Sequence, residues 1–273
     1  MASIHPSAVV DPSAVLGEDV TVGPHAVIGA QVEIGARTEV GAGAQIQGST
    51  VIGRENRIFP YACIGFEPQD LKFAGEQTWV RIGDGNHFRE FVTVHRGTAK
   101  GGGLTQIGSG GLFMAYSHVA HDARVGDRVI FANGATLAGH VEVGDDATVG
   151  AFSAVHQFCR VGRHAYIGGY SVITQDALPF VKTVGHKPAC YGLNRIGLER
   201  KGFEAAPLKN LETVLRILVR KGLAIPSAIE QMTAASDGSP AVVDLIRFVE
   251  SSTRGVIRSL PGRAGSRGGG SSD

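Results

Sequence analysis

The chain has 273 residues, 43% apolar and 19% charged, with 26 basic against 25 acidic side chains. It can bury a core, and no charge excess marks it as a nucleic-acid binder. Glycine is abundant at 39 residues, but with 11 prolines the pair reaches only 18%, short of the roughly 25–30% of low-complexity chains.

From Ile4 onward, aliphatic side chains recur every six residues: Ile4, Val10, Leu16, Val22, Ile28, Ile34 and so on to Ile64. The register resumes at Ile82, Phe88 and Val94, slips by one residue, and runs from Ile107 to Ile173. Of these 26 anchors, 14 are followed directly by glycine, and four residues past the anchors stand small or β-branched residues such as Ala14, Val20, Ala135 and Val141. Neither a period of 3.6 nor of 2 fits. A period of six reads as a parallel β-helix with the anchor inside and the small residue beside it. Glycine supplies either close packing or an unusual backbone conformation at a bend. Periodicity leaves the hand of the coil open, and the general bias of parallel crossovers is right-handed. The pattern resembles the hexapeptide-repeat family, and that resemblance implies left-handed coils of three hexads, or 18 residues. The 26 hexads then make about nine coils, each rising roughly 4.8 Å.

Residues 66–81 and 95–106 break the register and read as loops thrown out from the prism, where function often resides. After Ile173 the repeat stops. Leu208, Leu211, Val214, Leu215 and Leu218 follow helical spacing, with Gly222 and Pro226 as the stop, and a second helix is expected roughly from Pro240 to Arg258. The expected organisation is a β-helix over 1–190, an α-helical cap over 191–258 and a disordered tail over 259–273. Three cysteines without a C-x-x-C pair, no basic-then-apolar leader and no long apolar run lead to the expectation of a cytoplasmic protein without disulfides or a transmembrane segment.

On an 18-residue coil, His121, Gly139 and Gln157 stack on one ridge, Asp122 and His140 on the next, and His156 one place to the other side, with His118 just upstream. A neutral imidazole suits a general base at neutral pH. Asp122 orients or charges His121 only if a bend turns both side chains the same way. Gly139, one coil above, offers a bare backbone N–H to a developing oxyanion, or is an ordinary bend glycine. Several histidines can also hold Zn²⁺ with one position open.

The stretches HVAHDARVGD (118–127), LAGHVEVGD (137–145), AVHQFCRVG (154–162), GLNRIGLERKGF (192–203), IGDGNHFREFVTVHRGT (82–98) and QDLKFAGE (69–76) resemble the UDP-N-acetylglucosamine 3-O-acyltransferases, over about residues 2–258. The resemblance implies an all-β left-handed parallel β-helix with a C-terminal α-helical domain. It implies transfer of a 3-hydroxyacyl group from acyl carrier protein to the sugar 3-hydroxyl, the first committed step of lipid A synthesis. His121 is then the general base, Asp122 its support and Gly139 the oxyanion donor. Gln69, Asp70, Lys72, His118, His140, His156 and Gln157 contact the nucleotide sugar, and Asn194 and Arg200 meet the uridine–diphosphate portion.

Gly169 falls at the family's acyl-length ruler, where a glycine leaves room for a longer chain of roughly fourteen carbons. Ile196 stands where the family tends to carry an acid. A homotrimer with sites between adjacent prisms is implied, with no cofactor and no metal. Three other readings compete. A related N-acyltransferase carries an extra N-terminal uridine-binding domain, for which hexads starting at Ile4 leave no room. A γ-class zinc carbonic anhydrase would use interfacial histidines. A non-catalytic scaffold has no need of the histidine ridge or the QDLK loop. A 3-amino in place of a 3-hydroxy acceptor stays open.

Overall fold

The six-residue period folds as three rows of short strands, one row on each side of a triangular prism. In the computed structural model, which describes residues 1–220 and 222–261, strands stack in parallel with partners 18 residues apart: Ile4 with Val22, Val10 with Ile28, Leu16 with Ile34. The first face runs from Ser3–Ile4 to Tyr166–Ile167, the second from Val9–Val10 to Val172–Ile173, and the third from Val15–Leu16 to Arg160–Val161. The prism is a left-handed parallel β-helix, against the right-handed bias of ordinary crossovers. The anchors from Val22 to Ile173 are buried and fill the narrow interior.

The glycines resolve in favour of close packing. A Cβ built on Gly35 would lie 2.6 Å from the Gly53 carbonyl carbon, and one on Gly150 would lie 2.5 Å from the Gly169 nitrogen. These glycines have ordinary backbone angles, so their role is to let one coil lie on the next. The corners are instead turned by the residue three places after the anchor, which is mostly not glycine: Arg37, Glu55, Tyr61, Asp122, His140 and Phe158 all have φ between 57° and 62°. Such a left-handed residue costs about 1–2 kcal/mol. A repeated bond offsets it: the amide of most corner residues donates to a carbonyl of the coil below, as Glu55 to Ala36, His140 to His121, Asp146 to Asp127 and Tyr170 to Ala151, and that of Asp122 donates instead to the Thr105 hydroxyl.

Two positions beside the anchors are polar and buried. Asn56 Oδ1 accepts from Asn86 N and Nδ2, and Asn86 Oδ1 accepts from Gly111 N, so the pair satisfies itself between coils. The two insertions stretch the spacing of stacked anchors to 30 residues (Ile52 to Ile82) and 25 (Ile82 to Ile107). Both start and end as strands, and they pair with each other through Trp79 and Leu104.

Above the prism, antiparallel strands Val181–Val184 and Ala189–Leu193 close the first sheet. Four helices follow: α1 (Arg195–Arg200), α2 (Ala205–Arg220), α3 (Ile225–Ala234) and α4 (Pro240–Glu250). Helix α2 carries the expected apolar face, with Leu208, Leu211, Val214, Leu215 and Leu218 buried. Pro226 does not stop that helix; it sits in the first turn of α3, where its missing N–H is harmless. Helix α4 ends at Glu250 rather than Arg258, because the chain turns back to the prism: Asp176 N donates to Gly255 O, and Ile257 N donates to Asp176 O.

Ser259 still bonds, its carbonyl accepting from Cys190 N, although the tail was expected to be disordered from there; the rest of that expectation, 262–273, lies outside the described residues. No described helix is long and apolar enough to cross a membrane, and Cys63, Cys159 and Cys190 are free.

Gly150→Ala should destabilise the prism by about 1–3 kcal/mol, because its Cβ meets backbone of the next coil; urea denaturation of the purified variant measures the loss.

Candidate active site

The second corner of the prism, between the second and third faces, collects the predicted histidines. The bend there does what a flat strand forbids. Asp122 has φ 59°, which swings its carboxylate back beside the preceding residue, and His121 Nδ1 lies 2.8 Å from Asp122 Oδ2. The Asp122 side chain is fully buried and highly engaged. Its oxygens accept Thr98 N at 2.8 Å and Thr98 Oγ1 at 2.7 Å, while its own amide donates to Thr105 Oγ1. Thr98 belongs to the second insertion, and a Cβ on Gly101 would lie 2.0 Å from the Asp122 carboxyl carbon. The glycine-rich loop is therefore pressed onto the carboxylate. An acceptor this saturated fixes the tautomer: His121 donates from Nδ1 and leaves Nε2 as the basic nitrogen.

Gly139 lies one coil up, against the outer edge of that ring. A Cβ at Gly139 would sit 2.4 Å from His121 Cε1 and 2.6 Å from Nε2. Among the described residues its N–H donates no hydrogen bond. His140, at the same level, stands edge-on to His121 (5.2 Å between centroids) and is stacked on Phe158 at 4.4 Å. Burial lowers the His140 pKa, Asp122 and the more distant Asp70 oppose the shift, and His121 adds to it. His118 bonds Thr93 Oγ1 through Nδ1 at 2.7 Å, and burial, then His121, lowers its pKa. His156 is exposed, with Nδ1 3.2 Å from Arg254 Nη2, and Gln157 is exposed beside it.

The first insertion supplies Gln69, Asp70 and Lys72. Gln69 and Lys72 are exposed, and Asp70 accepts the Lys72 amide at 3.0 Å and acts through space on His140. This insertion is tied to the prism by Arg96, which donates to Gly65 O and Glu67 and lies over the Phe73 ring.

Asn194 and Arg200 lie elsewhere on the chain. They line a pocket of about 690 Å³ at the top of the first face and the third corner, with Arg128, Tyr166, Lys182 and Lys201. Asn194 is held by a bond from Nδ2 to His164 O, and Ile196 at the pocket mouth is 67% exposed. Burial would raise the Asp146 carboxyl there, but hydrogen bonds from Arg128 and Lys201 outweigh it and hold the pKa at about 2. Gly169 sits at a third location, the first corner, exposed and with only Ala151 backbone near a built Cβ. On one chain, therefore, the base cluster, the cationic pocket and Gly169 occupy three different edges.

Sequence reasoning gave no role to Thr98, Thr105, Phe158 or His95. His95 is buried, lies edge-on to His118 at 4.9 Å, and its Nδ1 has no hydrogen-bond partner. Its motif VHRGT was visible, but only the fold shows that the side chain turns inward. Burial, then the charges of His118 and His121, push its pKa down to about 4.

His121, Asp122 and His140 also bring three ligand atoms within 4.8 Å of one another. Both Asp122 oxygens also accept hydrogen bonds, from Thr98 and His121.

Known proteins resemble this chain over most of its length. The family described as bacterial transferase hexapeptide (six repeats) matches residues 1–36 and 140–175, and that described as Udp N-acetylglucosamine O-acyltransferase, Domain 2, matches 176–257. The acyl-[acyl-carrier-protein]–UDP-N-acetylglucosamine O-acyltransferase of Halorhodospira halophila is 48% identical over 94% of this chain and 100% of its own. Its namesake in Burkholderia orbicola is 45% identical with the same coverage. The crystal structure of Francisella novicida UDP-N-acetylglucosamine acyltransferase superposes with a TM-score of 0.91 at 37% identity, covering 94% of each chain.

A buried neutral histidine makes stability depend on pH in a definite direction. The His95 pKa falls from 6.5 unfolded to about 4 folded, so its stabilising contribution is full above 6.5 and is lost as pH falls towards 4. His95→Phe should therefore lose about 2 kcal/mol less than the parent between pH 7.5 and 4.5, measured by urea denaturation at both pH values.

Proposed function

The chain belongs to the family of acyl-carrier-protein–UDP-N-acetylglucosamine O-acyltransferases, and on that premise we propose the chemistry of its own residues. Its reaction moves an acyl group from acyl carrier protein to UDP-N-acetylglucosamine, the first step of lipid A biosynthesis. In the finer reading, the acyl group is a 3-hydroxyacyl chain and the acceptor is the sugar 3-hydroxyl. His121 Nε2 takes the proton from that hydroxyl as its oxygen attacks the thioester carbonyl. Negative charge develops on the carbonyl oxygen, and the Gly139 N–H donates to it. Collapse breaks the carbon–sulfur bond, and the departing thiolate of the carrier receives the proton held on His121. Asp122 keeps the imidazole in the tautomer that makes Nε2 basic and stabilises the cation formed in between.

The observation that carries this reading is the stack itself: a buried, saturated carboxylate on Nδ1 and an unbonded glycine amide one coil up beside Nε2. Gln69, Asp70, Lys72, His118, His140, His156 and Gln157 are assigned to the nucleotide sugar. Asn194 and Arg200 take the uridine–diphosphate end, where a planar guanidinium matches phosphate oxygens. Gly169 leaves room for the end of a long acyl chain. Ile196 offers the nucleotide an apolar contact only. The base and the cationic pocket lie on different edges of one chain, which supports sites shared between neighbouring copies; with the family resemblance, the working form is read as a homotrimer acting in the cytoplasm.

His121→Ala should lower kcat by about 10²–10⁴-fold in an assay of UDP-N-acetylglucosamine with 3-hydroxyacyl carrier protein, with the fold intact by circular dichroism. Near-normal turnover would overturn the assignment of the base. Co-refolding His121→Ala with Arg200→Ala should restore about a quarter of wild-type activity, because random mixing rebuilds that share of intact sites between unlike chains. No recovery on mixing would place both residues in one chain's site.

A further inference from the structure

The Asp122 carboxylate stands between two imidazoles that compete for it. Its Oδ2 lies 2.8 Å from His121 Nδ1 and 3.7 Å from His140 Nε2, with the two rings perpendicular. A small rotation of the carboxyl group would exchange a hydrogen bond to one ring for a hydrogen bond to the other. His121 would then lose the acceptor that keeps its proton on Nδ1, and the ring would pass between its two tautomers. A base whose reactive nitrogen is Nε2 needs a carboxylate that cannot make that exchange.

The second insertion closes on the carboxylate and holds it. Thr98 is buried and bonds both oxygens: its amide donates to Oδ1 at 2.8 Å and its hydroxyl to Oδ2 at 2.7 Å. Two donors on two oxygens fix the plane of a carboxylate, which a single bond leaves free to turn. The direction of the hydroxyl is itself set. Gly101 N donates to Thr98 Oγ1 at 3.2 Å, so the hydroxyl proton is left for Asp122. Oδ2 therefore receives Thr98 from one side and His121 from another, and the gap to His140 stays open.

Glycines on either side of Thr98 permit the approach. A Cβ on Gly97 would lie 2.2 Å from Leu104 N and 2.9 Å from Asp122 Oδ1, and one on Gly101 would strike the carboxyl group directly. The turn holds its own shape, because Gly101 N and Gly103 N both donate to Thr98 O. The backbone of this loop is thus fixed independently of the Thr98 hydroxyl, whose bond to Asp122 is free to serve the site.

We propose that Thr98 is a positioning residue for acyl transfer: its amide and hydroxyl clamp the Asp122 carboxylate so that Oδ2 serves His121 and not His140. Thr98 acts only through Asp122. The proposal rests on the reading of His121 as base and Asp122 as its support, and adds the residue that makes Asp122 selective between the two rings.

The test is steady-state kinetics of Thr98→Val, which keeps the branched shape and the amide and removes the hydroxyl. Its kcat should fall about 10- to 100-fold, the worth of one hydrogen bond to a charged group. KM for UDP-N-acetylglucosamine should stay within about twofold, with far-UV circular dichroism unchanged. Thr98→Ser, which keeps the hydroxyl, should return kcat to within about threefold of wild type. Added to Asp122→Ala, Thr98→Val should cost nothing further, since the group it acts through is gone. Thr98→Ala should show the same pattern, and serves if Thr98→Val does not fold. Wild-type kcat without the hydroxyl, a rise in KM alone, or an equal loss in Thr98→Ser overturns the proposal and spares the base. An undiminished loss in the Asp122→Ala background overturns it as well. Full activity of Asp122→Ala itself overturns the support role of Asp122, and this proposal with it.

Discussion

Everything in this molecule depends on how closely one 18-residue coil lies on the next. Parallel strands must approach to hydrogen-bonding distance on three sides at once, and at many positions just past an anchor a Cβ would meet the backbone of the next coil. That contact selects glycine after the anchor, and with it sets the narrow bore that excludes most aromatic side chains from the interior. Three buried rings, Phe88, Phe113 and Phe131, stack on each other along one row of the first face, where a shared column gives them room.

The same constraint frees the corner residue itself. Once the strands and the bond to the coil below fix its backbone, its side chain projects outward and is open to any chemistry. One edge uses this freedom for rings, one for imidazoles and a carboxylate, and one for charge, as in the Arg128–Asp146 pair at 2.9 Å. The insertions follow the same logic. They leave between strands of the second and third faces, so they overhang the edge that bears His121, and the second one supplies the Thr98 bonds that the prism alone could not give Asp122.

Much of this was legible before the fold was seen, because a period of six is a direct image of the coil. The anchors, their burial and the two interruptions follow from counting, and the vertical alignment of His121 with Gly139 follows once the family resemblance supplies a coil of 18 residues. The conformation of the corner was not legible: Arg37, Tyr61 and His140 share no chemistry, only a backbone angle imposed by the coils. For the same reason the pairing of Asp122 with His121 depended on a bend that spacing alone does not reveal. His95 and Thr98 escaped because their importance is set by burial and by a loop folding back, neither of which leaves a periodic trace. The end of α4 at Glu250 escaped because what stops it is a contact with Asp176 across the cap rather than a local breaker.

The stack of Gly139 over His121 has an implication for precision. In most enzymes the separation of a base from its oxyanion donor is the outcome of many side chains packing together, and it drifts when any of them changes. In the mechanism proposed for this chain, those two groups are His121 and Gly139, which occupy equivalent places one repeat apart. Their separation is inherited from the spacing of hydrogen-bonded strands, about 4.8 Å, a constant of peptide chemistry. The critical dimension of the site is thus insulated from substitution in the core, and the surrounding surface is left free to vary with the substrate.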